Sequence, residues 1–347
     1  MLSPDATIAV TTSDDATLHL WNTTDRAAPT AISTQTLRDA GNPIAAMFNP
    51  AGTLLAVTTS TGVLFVLDAT DPVHLSILAT VHAHDDATGT ALFTPDGTVL
   101  ATNSVDGTVR LWDLTTPRNP QPLARITPSG LPLNIALSAD GHTLATADLD
   151  GTATLWDITA PRAPRPLSTI HPVDGASRET TGTVTALDIT RLATTGAVTA
   201  VAFSPDVTRL ATADAAGTAR LWNITDPHDP RPLATLTRNT ATISAADFTP
   251  DGSRLITAGD DSTARLWDLD PASVSRRACA NPSGQLTPAE GTRRYPEFTI
   301  SRRVHRCRHL PPRRQPHRHR HGEAPGPRED RSRLRSATRS IGPVVPS

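Results

Sequence analysis

The chain has 347 residues and a formal net charge of −2, and all 32 of its basic residues are arginine. Two cysteines, Cys279 and Cys307, make no disulfide framework, and no apolar stretch approaches the roughly 18–20 residues a membrane helix needs. The first 30 residues carry no basic start followed by an apolar run, so a soluble cytoplasmic chain with no secretory leader is expected.

In chain order, one pattern recurs six times. Its first position is Leu2, Phe48, Phe93, Leu137, Phe203 and Phe248, and its second is Trp21, Leu67, Trp112, Trp156, Trp222 and Trp267. The two positions are 19 residues apart in every unit. A fixed length without gaps implies fixed turns between the strands inside a unit. The second positions follow one another at 46, 45, 44, 66 and 45 residues. Of the 12 aromatic residues, nine hold these positions, Phe65 lies just before the second position of unit two, and only Tyr295 and Phe298 fall outside the repeat.

Unit five shows the local chemistry. Ala197 to Phe203 is an apolar run suited to a buried strand. Ser204-Pro205-Asp206 ends it as a turn, since proline fixes φ and aspartate bonds nearby backbone. Arg209 to Ala213 is a second strand. In units three and four, Asp106-Gly107 and Asp150-Gly151 are hairpin turns, where glycine adopts positive φ at little cost. Leu111-Trp112-Asp113 closes a third strand. Proline-rich links such as residues 161–166 lead to a fourth, Leu167 to Ile170. Each unit therefore reads as a meander of four strands, and the fold class is all-β.

The Leu-Trp-Asp endings, the Phe-Ser-Pro-Asp turns and a period near 45 residues resemble the WD-repeat family, over about residues 1–270. The resemblance implies a β-propeller of six blade-like units, the first lacking most of its inner strand. It also implies a structural tetrad of His, Ser or Thr, Asp and Trp within a blade. Only unit three matches fully, through His84, Ser104, Asp106 and Trp112; elsewhere Asp39, Pro128, Thr194 and Asn239 stand at the histidine place. Those units are expected to lack the internal network. The structural anchors are then Trp21, Trp112, Trp156, Trp222, Trp267, His84, Ser104 and Asp106.

Between Trp156 and Phe203 the chain is longer than at the other junctions. The extra stretch, about residues 171–195, repeats part of an inner hairpin: residues 182–186 and 190–194 echo 196–200 and 208–212. It either adds two strands or bulges as a surface loop, and the loop is the preferred reading. Beyond Trp267 the frame does not restart. Ala272 to Ala280 reads as a short helix within a linker over 271–290. Asp270-Pro271-Ala272, Cys279 and Thr287-Pro288-Ala289-Glu290 resemble the segment after actinobacterial WD-repeat arrays. Residues 291–347 hold 15 Arg against 4 acidic residues, whereas the rest holds 17 Arg against 30. This Arg/His/Pro-rich tail has no hydrophobic period and is expected to be disordered. Its abrupt onset is what a reading-frame slip would produce.

Candidate sites for chemistry are few. His317, His319 and His321 alternate with Arg and could bind a metal, without a defined geometry. The basic tail could contact phosphate backbones, but no aromatic residue after Phe298 supports base stacking. The turn aspartates follow the repeat and not a calcium loop. Asp247 is the only titratable residue on the inner strands, which leaves no acid–base pair or metal set there. These readings predict no catalytic residue, no cofactor and no metal. They predict a protein–protein interaction scaffold or docking module, a monomer or part of a larger array, with nucleic-acid binding through the tail as the alternative and a propeller enzyme as the remote one. By resemblance to bacterial arrays, the chain would be the sensor part of a signalling protein.

Overall fold

The computed structural model describes residues 1–37, 40–171 and 197–270. They form twenty-two strands in six antiparallel sheets, with no helix among the described residues. Sheet one has β1 (Ile8–Ser13), β2 (Thr17–Asn22) and β3 (Thr30–Thr36). Sheet two has β4 (Pro43–Phe48), β5 (Leu54–Thr59), β6 (Val63–Asp68) and β7 (Ser76–His82). Sheet three has β8 (Thr88–Phe93), β9 (Val99–Ser104), β10 (Val109–Asp113) and β11 (Gln121–Ile126). Sheet four has β12 (Pro132–Leu137), β13 (Thr143–Asp148), β14 (Ala153–Asp157) and β15 (Arg165–Ile170). Sheet five has β16 (Val198–Phe203), β17 (Arg209–Asp214), β18 (Ala219–Asn223) and β19 (Arg231–Leu236). Sheet six has β20 (Ile243–Phe248), β21 (Arg254–Gly259) and β22 (Thr263–Asp268). Within every sheet the order follows the chain, so each is a meander. In sheet one the inner strand is reduced to a single bridge, Leu2 to Ala9. The helix expected over 272–280, the insertion and the tail lie outside the described residues.

The turns are dictated locally. Between the second and third strands the backbone must turn left-handed, and Gly62, Gly107, Gly151 and Gly217 take φ of 78–85° there. Sheets one and six use Ala16 (φ 65°) and Ser262 (φ 59°) instead, which carry a steric penalty that glycine avoids. In sheets three to five the third and fourth strands pair with a register shift at the Trp. Trp112, Trp156 and Trp222 sit opposite Pro122, Pro166 and Pro232. The same shift occurs in sheets one and two, where Trp21 faces Ala31 and Leu67 faces Ile77, so the bulge belongs to the repeat, and a proline, which has no N–H to give the ladder, is tolerated beside it.

Side chains alternate across each strand, so each sheet has two faces. One carries the Trp; the other carries small and aliphatic residues. The core lies between sheets and forms five clusters, each drawn from two consecutive sheets. Leu55, Leu100, Leu144, Leu210 and Leu255 sit at equivalent positions on the second strands of sheets two to six, and all are fully buried. Each contributes about 1.5–3 kcal/mol by leaving water. A single sheet could not bury both faces, so stability comes from stacking neighbours. The inner strands β4, β8, β12, β16 and β20 pack in sequence, each beside the next.

Candidate functional site

The side chains singled out by the repeat converge inside the sheets. Each of the five tryptophans donates its indole N–H to a threonine ten residues earlier. The pairs are Trp21–Thr11 (3.0 Å), Trp112–Thr102 (3.2 Å), Trp156–Thr146 (3.5 Å), Trp222–Thr212 (3.0 Å) and Trp267–Thr257 (2.9 Å). The threonine lies on the neighbouring strand, diagonal to the Trp and on the same face, within reach of a large ring. Sheet two has neither partner: Leu67 takes the Trp place and Val57 the Thr place. Donor and acceptor disappear together, as the cost of an unsatisfied buried group requires.

In sheet three the pair extends into a relay. Thr102 accepts from Trp112, so its own hydroxyl hydrogen is free to donate to His84 Nε2 (2.8 Å). The other ring nitrogen, Nδ1, faces Asp106 Oδ2 (3.0 Å) and so carries the proton. His84 is fully buried, and desolvation holds its pKa below the usual histidine range, so the ring is neutral. At Asp106, burial pushes the carboxyl upward, but the Thr108 hydroxyl and His84 outweigh it and leave its pKa lowered. A neutral imidazole closed on both sides is a structural link.

The geometry corrects the expected membership at one place. Ser104 stands outside the relay; its hydroxyl donates to the carbonyls of Ala87 (2.8 Å) and Asp86 (3.1 Å). Thr102 takes the bridging role because it, and not Ser104, lies beside the indole. The expectation that other units lack a network also needs correction in sheet six. There Asn239 stands at the histidine place and accepts from Thr257 (3.2 Å), while Asp261 accepts from Thr240 N–H (3.0 Å). The threonine signal was present in the sequence, ten residues before every Trp.

His84→Ala is expected to destabilise the chain by about 1–3 kcal/mol, since buried groups of Thr102 and Asp106 lose a partner. His84→Asn should cost less, because Asn239 shows that an amide can meet the threonine. Urea unfolding of the three proteins checks this order.

The aspartate after the Trp has a local role too. Asp113 accepts the backbone N–H of Thr115 (2.9 Å) and its hydroxyl (2.6 Å), and Asp157 does the same with Thr159. These contacts turn the chain out of the third strand. In the preceding turn, Ser204 donates to Asp206 and Ser138 to Asp140 (both 2.5 Å), and Ser3 to Asp5 (2.6 Å). Asp247 accepts Phe248 N–H (2.8 Å), and partial desolvation raises its pKa. Among the described residues no three His, Cys, Asp or Glu side chains are grouped to hold a metal ion. His317, His319 and His321 lie outside them.

One carboxyl is out of balance. Asp148 is fully buried; its Oδ2 accepts from Thr146 (3.2 Å) and Thr152 (3.3 Å), and its Oδ1 has no partner. Desolvation, helped by the nearby Asp150 carboxylate, pushes its pKa up to about 7. Asp214 at the same place in sheet five accepts from Arg220 (2.7 Å) and from two backbone N–H groups, those of Ala216 and Thr218.

Comparison with known proteins agrees with this geometry. The family model described as "WD domain, G-beta repeat" matches residues 75–113, 128–157, 181–223 and 230–268. The chain carries WD40 repeats at these four places. The matches at 75–113 and 230–268 each begin on the fourth strand of one sheet and end on the third strand of the next. A WD40 repeat thus stitches two neighbouring sheets together. The matches leave the Trp21 and Leu67 units uncovered; their place in the array rests on spacing and on the strands themselves. Among solved structures, a chain of "Crystal Structure of Mitotic Checkpoint Complex" superposes with a TM-score of 0.62 at 16% identity, covering 77% of this chain and 75% of that one. That likeness concerns the fold alone. No curated protein sequence matches. No helix among the described residues is long and apolar enough to cross a membrane.

Proposed function

We propose that this WD40 array is a non-catalytic binding platform for other proteins. The observation that supports it most is the division of labour among side chains. The recurring Trp and Thr residues, with His84 and Asp106, are engaged inside the sheets. The turns at the two ends differ from unit to unit and stand in solvent. The meander order puts the turns between second and third strands at one end, together with the connections between sheets. That end carries exposed Asp14, Asp85 and Asp260. Arg118, Arg162 and His228 belong to links at the other end.

The test uses the immobilised full chain to capture proteins from extract of its native host. Two variants accompany it: Asp14→Ser/Asp85→Ser/Asp260→Ser, and Arg118→Ser/Arg162→Ser/His228→Ser. A specific partner should be retained by the parent and lost at least in part by one variant, with an unchanged melting temperature in both. Retention indifferent to both sets of turns, or a turnover activity without any stable partner, would overturn the proposal.

A further inference from the structure

On the third strand, the residue two before the Trp stands opposite the threonine that binds the indole. In three sheets it is an arginine: Arg110 faces Thr102, Arg220 faces Thr212 and Arg265 faces Thr257. Each guanidinium reaches a carboxylate at the turn between the second and third strands. Arg220 Nη1 lies 2.7 Å from Asp214, Arg265 Nη2 3.4 Å from Asp261, and Arg110 Nη2 3.9 Å from Asp106. Two carboxylate places are thus in use: the end of the second strand, as at Asp214, and the turn itself, as at Asp106 and Asp261. These arginine side chains are 22–31% exposed, so their heads meet solvent at this end.

Sheet four fills both carboxylate places and has no arginine. Asp148 stands where sheet five has Asp214, and Asp150 where sheets three and six have Asp106 and Asp261. Thr154 holds the arginine's register, opposite Thr146, and is too short to reach the turn. The two carboxylates differ in depth: Asp148 is fully buried with its Oδ1 unpartnered, whereas Asp150 is exposed. Alternation along the strand puts Asp148, Thr146 and Thr154 on one face, so Asp148 is directed to the side from which Arg220 reaches Asp214. The connection from β11 to β12 passes close by on Gly130, where a Cβ would lie 2.7 Å from Asp150 Cγ. Glycine there keeps the entrance free of a side chain.

We propose that sheet four is a receptor for an arginine side chain of a partner protein: the guanidinium enters past Asp150, meets Asp148 Oδ1, and takes the role that Arg220 has in sheet five. This rests on the platform reading above and names the chemistry of its partner. A guanidinium suits the place better than an ammonium. Its planar fork addresses two carboxylates at once, and it is the more weakly hydrated of the two cations. The fold already holds Asp148 away from water, so the arriving cation gains the attraction without desolvating that carboxyl again.

The test titrates the full chain at pH 8 with acetyl-Gly-Gly-Arg-Gly-Gly-amide, followed by ligand-observed NMR. Two further peptides carry lysine, or citrulline, which keeps the shape of arginine without its charge. The parent should bind the arginine peptide, the lysine peptide more weakly, and the citrulline peptide not at all. Thr154→Arg supplies the guanidinium in cis, and Asp148→Asn removes the buried charge; each should weaken the arginine peptide at least about tenfold while melting no lower than the parent. Asp148→Asn is isosteric and carries the test where Thr154→Arg does not fold. Asp15→Asn, which removes an exposed charge from the equivalent turn of sheet one, should leave binding unchanged. No binding by the parent, equal binding of the citrulline peptide, binding that survives Asp148→Asn, or binding lost equally in Asp15→Asn would each overturn the proposal. In the capture experiment, a partner held equally by the parent and Thr154→Arg removes this inference and leaves the platform standing. Peptide binding with no captured partner does the reverse.

Discussion

Replacing Asp148 with asparagine is expected to raise the melting temperature at pH 8 by roughly 5–10 °C, and to leave it little changed near pH 4. The cause is a second carboxyl where the turn has room for one. In sheet three the equivalent pair is Ser104 and Asp106; in sheet five it is Asp214 and Ala216. Sheet four carries Asp148 and Asp150 together, and Asp150 already accepts the turn's Thr152 N–H (3.0 Å) and hydroxyl (2.6 Å). Nothing then remains for Asp148 Oδ1. Thr154 stands at the place of Arg220, so no arginine answers the charge, and Pro128 stands where sheet three has His84, so no ring N–H does either.

The sign follows from proton binding. Unfolded, the carboxyl has the ordinary aspartate value near 3.8; folded, burial pushes its pKa up to about 7. Between those values the folded chain holds a proton the unfolded chain has lost, so stability falls as pH rises through this window and is flat above it. Three pK units correspond to about 4 kcal/mol. His84 works in the opposite direction, since its lowered pKa weakens the fold as pH falls below the unfolded histidine value. The informative quantity is therefore the difference between parent and Asp148→Asn at each pH, in which His84 cancels. A difference that stays constant from pH 4 to pH 8 would refute the assignment. Thr154→Arg provides the converse: an Arg220-like partner should recover much of the same stability with the carboxylate kept.

The fold was legible in the sequence because its period is carried by rare residues. With 5 Trp and 6 Phe in the whole chain, their phase is hard to mistake. The turns were legible for a local reason: Ser-Pro-Asp and Asp-Gly settle backbone angles by themselves. The membership of the relay was less so. Ser104 and Thr102 are both hydroxyl residues on one strand, two apart, and only the recurrence of a threonine ten residues before every Trp distinguishes them. Asn239 was hidden because a family pattern written around histidine does not anticipate an amide doing part of its work. The imbalance at Asp148 depends on how deeply the second strand of sheet four is buried, and on an arginine missing from its neighbour. Neither appears in the residue itself. The likeness of Thr154's place to that of three arginines could be found only once each residue had been placed on a face and its counterpart compared.

The Trp–Thr pair yields the second large effect. Thr212→Val in sheet five should destabilise the chain by about 1–3 kcal/mol, because the Trp222 N–H stays buried with its acceptor removed. Trp222→Leu alone should cost more, about 3–5 kcal/mol, since it opens a cavity among Leu210, Ile224 and the face of sheet four. It also leaves the Thr212 hydroxyl without its donor. The double variant Thr212→Val/Trp222→Leu reproduces the Val57/Leu67 arrangement of sheet two, in which no polar group is stranded. Its cost should fall short of the sum of the singles by about 1–2 kcal/mol. It should not fall to zero, because sheet two also has Phe65 on the same strand face to fill space, whereas sheet five has Arg220 there, held by Asp214. Guanidinium unfolding of the four proteins measures the cycle. Strict additivity would mean that the threonine is a bystander, and that the indole rather than the hydrogen bond is what the repeat preserves.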